Sequence, residues 1–165
     1  MNNHPLWEYS LAVYSKPSVD TLLVQLQDDY GADVNMLLLA FFQAKNNLRL
    51  NTDDYQFLLK QVAGWQSNAV VPLRSVRRYL KNNDSVDVQK IREKIKTVEV
   101  EAEAWQQSLL FEAIKNQSYE AGENDFSADA LHNIKCYSAL WPGVDWEDIS
   151  AIVVDLLACI THHAE

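Results

Sequence analysis

The chain has 165 residues, four glycines, four prolines, two cysteines and a formal net charge of −9 at pH 7. A chain of this length buries roughly 70% of its unfolded surface, enough for one self-sufficient core, so a single domain over 1–165 is expected. So few glycines and prolines exclude the turn-rich all-β classes, and two cysteines, Cys136 and Cys159, exclude a disulfide framework.

Met1-Asn2-Asn3-His4-Pro5 lacks the basic start and apolar run of a secretory signal, which points to the cytoplasm. Leu6, Tyr9, Ala12 and Val13 then recur at helical spacing and predict a short helix that stops before Pro17. Val19, Leu22, Leu23, Leu26 and Tyr30 predict a second helix, closed by Gly31 in the left-handed conformation. Asp33 caps a third, Val34 to about Asn47, whose apolar run Met36 to Phe42 suits a core helix and is far short of the ~20 residues of a membrane span. A fourth is expected after Thr52 as N-cap, with Tyr55, Leu58, Leu59 and Val62 inward and Gly64 at its end. Pro72 starts a further helix or kinks one already running.

The longest helix is expected over Val86 to about Asn116. Val88, Ile91, Ile95, Val98, Ala102, Trp105 and Leu109 alternate in steps of three and four as a heptad seam. Beyond Val100 its opposite side is apolar too, as suits a central bundle helix whose seam is covered by this chain's own helices; a monomer is therefore expected. Tyr119 to Asp125 reads as a polar loop, Ser127 as the cap of the next helix, and Asp145 with Asp148 as the start of the last, where Ser150 and Asp155 interrupt the apolar run Ile149 to Ile160. No membrane span is expected. The fold class is all-α, a single-domain bundle of seven or eight helices around one long central helix.

Trp7-Glu8-Tyr9-Ser10-Leu11, Tyr14, Pro17, Leu26-Gln27-Asp28, Gly31-Ala32-Asp33-Val34-Asn35, Pro72-Leu73-Arg74, Val76-Arg77-Arg78 and Leu80-Lys81 together resemble a family of small proteobacterial proteins catalogued as a domain of unknown function. The likeness covers about the first two thirds of the chain. Ser18 stands where a family glycine is expected, a change that bears on the start of one helix. The resemblance implies no activity, cofactor or partner.

Gln27, Asp28, Asp33 and Asn35 are candidate binding residues. Asp28 lies near a helix C-terminus, where a carboxylate opposes the dipole unless a cation or donor meets it. One reading is a structural network: Asp33 caps its helix, Gln27 and Asn35 bond backbone around the Gly31 turn, and Asp28 pairs with an arginine of the Pro72 to Lys81 helix. The other is a polar pocket for a ligand or partner, since locally unfavourable residues gather at functional sites.

Arg74, Arg77, Arg78 and Lys81 fall on one helical stripe, with Ala69, Leu73, Val76 and Leu80 on the expected buried side. Positions 74 to 96 hold eight of the fourteen basic residues against three acids. The stripe reads either as a solvated or internally paired face or as a docking surface; if it docks, an acidic protein is the expected partner, in a non-enzymatic interaction or regulatory role, and the alternative is a small-molecule-binding protein or enzyme built around Gln27, Asp28, Asp33 and Asn35. Nucleic acid is disfavoured, because the acidic remainder repels phosphate and no aromatics interleave with the cations. His132, Cys136, Cys159, His162 and His163 invite zinc, but the expected hairpin of the last two helices holds the cysteines roughly 13 Å apart at 1.5 Å per residue. No metal, cofactor or catalytic motif is expected.

Overall fold

The first amides of a helix need acceptors, and in this chain a side chain at the helix start supplies one at several of the helices. The structure, a computed structural model describing residues 4–162, contains the helices α1 (Pro5–Tyr14), α2 (Val19–Tyr30), α3 (Val34–Lys45), α4 (Thr52–Trp65), α5 (Val71–Tyr79), α6 (Val86–Lys115), α7 (Phe126–Ser138) and α8 (Trp146–Thr161). Asp33 caps α3 by accepting from the Asn35 amide at 2.9 Å, and Asp145 with Asp148 forms a capping box on α8, both as read from sequence. At two other starts the cap sits earlier than expected. Asn51, boxed with Asp54, replaces Thr52 on α4, and Asp125 replaces Ser127 on α7, because each precedes the expected cap and reaches an amide of the first turn.

Gly31 closes α2 at φ +79°, with its own amide bonded to the Gln27 carbonyl and the Ala32 amide to that of Leu26. Gly64 ends nothing: α4 runs on through a π-helical turn, Gln66–Val70, directly into α5. Pro72 lies in the first turn of α5 and has no N–H to give, so the widened turn lets the rod continue past it.

Burial is deepest around α3, where every residue from Asn35 to Ala44 is buried. α7 packs along α3, and Tyr137 stacks on Tyr55 of α4 with ring centres 5.3 Å apart. α8 lies against α2, tied by Tyr30 Oη to the Asp148 carbonyl at 3.2 Å and by Lys16 Nζ to the Ile160 carbonyl at 2.6 Å, a cation at the negative end of α8. One hydrophobic cluster runs through α1, α2, α3, α4, α6, α7 and α8, so the described residues form an all-α single-domain bundle.

The expected polar loop contains a short strand. Leu48–Arg49 (β1) pairs antiparallel with Glu120–Ala121 (β2), in register Leu48 with Ala121 and Arg49 with Glu120. Buried Asn133 holds this corner through the Leu50 amide and the Ala40 and Leu48 carbonyls. Buried Asp129 accepts from Arg49 Nε at 2.7 Å and from the Glu123 amide, and a Cβ at Gly122 would come within 2.2 Å of its carboxylate.

α6 is central over only part of its length. Its C-terminal half enters the core with Ala102, Ala104, Leu110 and Ile114 buried, whereas Val86, Ile91 and Val98 are exposed. The chain's own helices cover the seam's Val88, Ile95, Ala102 and Leu109 row and leave Ile91, Val98 and Trp105 outside. α5 also departs from expectation. None of its residues is fully buried, Val76 is 44% exposed, and Arg74 and Arg77 turn toward α6. Carboxylates on the facing helix draw the arginines inward and leave Val76 to solvent.

Candidate functional site

A cleft of about 540 Å³ opens between α1, α2, α3, α5 and α6. Its floor follows from the start of α3. Asp33 must face its own first turn to cap it, which turns Asn35 toward α6; there Asn35 Oδ1 accepts from Gln107 Nε2 at 2.9 Å, and Gln107 Oε1 accepts from Ser10 Oγ at 2.9 Å. All three side chains are buried, so their polar atoms depend on one another for partners. Gln106 sends its amide the other way, donating to Asp33 Oδ2 at 2.6 Å, while the Asp33 amide donates to Tyr137 Oη at 2.8 Å. Burial raises the Asp33 carboxyl above its ordinary range even though Gln106 and the Asn35 amide bond it.

The wall opposite is an ion-pair cluster. Arg77 grips buried Glu99 with the Nε and Nη2 edge of its guanidinium, and Arg74 reaches Glu99 at 3.5 Å and Glu103 at 2.9 Å. Burial raises the Glu103 carboxyl, an effect that Arg74 offsets only in part. Apolar Trp7, Leu11, Val24, Val34, Leu38 and Val100 complete the lining.

Four of the eight residues singled out by sequence meet in this cleft: Gln27, Asn35, Arg74 and Arg77. Asp33 lies behind it as a cap. Asp28 sits at the surface and pairs with Arg78 at 2.5 Å, also accepting from Gln27 Nε2 at 3.2 Å, so an arginine of the α5 helix does meet it. Gln27 and Asn35 do not bond backbone around the Gly31 turn; both spend their side chains on side chains. Arg74, Arg77 and Arg78 are not a free cationic stripe, since each holds a carboxylate; Lys81 is exposed beyond them.

Sequence reasoning missed Ser10, Glu99, Glu103 and Gln107. The available signal was Gln106-Gln107 inside the apolar half of α6, together with Glu99 and Glu103 one turn apart just after the lysine-rich stretch Lys90 to Lys96. Cys136 Sγ lies 3.6 Å from His132 Nε2, and burial raises its thiol. Among the described residues no group of three or more His, Cys, Asp or Glu could hold a metal; His163 lies outside them. Nor is any described helix long and apolar enough to cross a membrane.

The fold and cleft define a class: an all-α bundle with a polar-floored pocket walled by paired charges. The chain belongs to a family described as protein of unknown function (DUF2390), whose model matches residues 5–110. That match spans every residue lining the cleft, from Trp7 to Gln107, and leaves out α7 and α8. No curated protein and no solved structure matches the chain.

Proposed function

We propose that the protein binds a small, uncharged or zwitterionic molecule with an apolar body in the cleft between α1, α2, α3, α5 and α6. The observation that carries this reading is the matched charge of the lining: Arg74, Arg77 and Lys96 stand against Asp20, Glu99 and Glu103. Such a site exerts little net pull on a simple ion, and its arginines would have to leave carboxylates to seize one. Asn35 Nδ2 donates to no described residue and lines the cleft, so it can meet a carbonyl or hydroxyl of the ligand. Trp7, Leu11, Val24 and Val100 offer the apolar body its contact, and the volume lies within the ~300–1,000 Å³ usual for small-molecule sites. Docking of an acidic protein on α5 has less support, because three of the four cations of that stripe already hold carboxylates.

The test is a thermal-shift screen of uncharged and zwitterionic metabolite-sized compounds against wild type and Val100→Trp. Val100 is 42% exposed, so the larger side chain fills the cleft without entering the core. Compounds that stabilise wild type and fail on Val100→Trp support the reading. A library in which every hit acts equally on both proteins, or in which only simple anions act, counts against it.

A further inference from the structure

We infer that the chain pairs with a second copy of itself along the outer face of α6, antiparallel about a two-fold axis at Val98. Ile91, Val98 and Trp105 recur every seven residues and are 52%, 47% and 44% exposed. That spacing is one row of a heptad seam. The other row, Val88, Ile95, Ala102 and Leu109, is the one turned inward. The expectation of a monomer required both rows to be covered from within the chain, and only one is. At the end of the exposed row Trp105 meets the edge of Trp65 at 6.4 Å between ring centres, and Trp65 is itself 37% exposed, so two indoles present one apolar surface.

Charge selects the occupant and its direction. At about 100° per residue, Lys94 and Glu101 lie beside the exposed row. Most charged side chains of α6 have partners: Asp87 with Lys90, Arg92 with Glu93, Glu99 and Glu103 with arginines, Glu112 with Lys115. Lys94, Lys96 and Glu101 have none among the described residues; Lys96 lines the cleft, while Lys94 and Glu101 are exposed beside the row. In an antiparallel pair centred on Val98, Ile91 meets Trp105 of the second copy and Val98 meets Val98. Lys94 then falls within one residue, about 1.5 Å of rise, of Glu101 on the second copy, and the symmetry makes this contact twice. In a parallel pair the two-fold would run along the helices and put Lys94 and Glu101 of the two copies on opposite flanks of the contact, where neither finds the other. The face is thus complementary to itself in one direction only, and it lies on the side of α6 away from the cleft.

Sedimentation velocity of wild type between about 1 and 100 µM should show a dimer. Lys94→Glu alone and Glu101→Lys alone should each weaken it about tenfold, by turning both attractive contacts repulsive. The double variant Lys94→Glu/Glu101→Lys should return to within about threefold of wild type, because the pairs are restored with signs exchanged. Val98→Lys sets two cations together on the axis and should give a monomer with an unchanged circular dichroism spectrum. A wild-type monomer at 100 µM overturns the inference and leaves the face to a different protein. So does a dimer indifferent to the single reversals, or one that the double variant fails to restore.

Discussion

The two halves of α6 have the same helical geometry and opposite fates. From Glu99 onward, three polar side chains are buried and matched: Gln106 with Asp33, Gln107 with Asn35 and Ser10, Glu99 with two arginines. Before it, Val86 and Ile91 are 70% and 52% exposed. The hydropathy of these individual side chains would rank them the other way. A polar group enters a core when a partner of fixed geometry waits there, and an apolar group stays outside when no element of the chain reaches it.

Breaking the buried half should produce the largest effect. Gln107→Ala strands the Ser10 hydroxyl and the Asn35 carbonyl oxygen in a closed environment, and at about 1–3 kcal/mol per orphaned group the loss should total about 3–4 kcal/mol. A urea melt gives the number. A loss below about 1 kcal/mol would show that water replaces the glutamine and that the floor of the cleft is open. Ile91→Ala, in the exposed half, should change the stability of the separated chain by no more than about 0.5 kcal/mol.

Next in size is the charged wall. Glu99→Ala leaves Arg77 without its carboxylate, while Arg74 retains Glu103. Removing one member of a buried pair costs about 3–5 kcal/mol, but the arginine side chains keep 14% and 24% exposure and can turn to water, so about 2 kcal/mol is expected. Glu103→Ala should cost less, since Arg74 still touches Glu99. Reversal of that order in denaturant melts would place the weight of the wall at the cleft mouth.

Ser18 sharpens the comparison at the level of backbone. It stands at φ +65° before α2 and makes no side-chain capping bond. A non-glycine residue in the left-handed region pays about 1 kcal/mol, so Ser18→Gly should raise stability by about 0.5–1 kcal/mol. A lowered melting temperature would mean that the hydroxyl contributes something the backbone geometry does not reveal.

The smallest effects separate two aspartates on either side of one turn. Burial disfavours ionisation of Asp28, but the Arg78 and Gln27 bonds outweigh it and hold its carboxyl below the ordinary 3.8. Its folded value is below its unfolded one, so its stabilisation is complete above the unfolded value and disappears as pH falls through the folded value. Asp28 is exposed, and Asp28→Asn should therefore cost under about 1 kcal/mol at pH 7 and nothing in strong acid. Asp33 has the opposite sign. Burial raises its carboxyl, so its contribution declines as pH rises from the unfolded value through the raised folded one. Asp33→Asn should remove that decline while an amide oxygen keeps the cap, and stability curves against pH for the two variants should diverge from wild type in opposite directions.

The turn itself was legible in sequence because its signals are local: a glycine that can take positive φ, a capping aspartate, apolar positions three and four apart. The Asp28 partnership with an arginine of α5 was also legible, since a carboxylate at a helix C-terminus needs a cation and the chain concentrates its cations nearby. The cleft was not. Gln27 and Asn35 pointed toward it, but its wall joins Arg74 and Arg77 to Glu99 and Glu103, residues 22 to 29 positions apart, and no local pattern reports such a meeting. The strand at Glu120–Ala121 was hidden for the same reason, as its partner lies at Leu48–Arg49.

Sequence by itself determined the all-α class, the approximate place of most helices and the Gly31 turn, because capping, proline geometry and helical periodicity act within a few residues. Tertiary structure alone decided which face of α5 turns inward, which row of the α6 seam is covered, and whether each charge has a partner. Those outcomes depend on whichever element packs alongside, and a helical period specifies that a face exists without specifying what meets it.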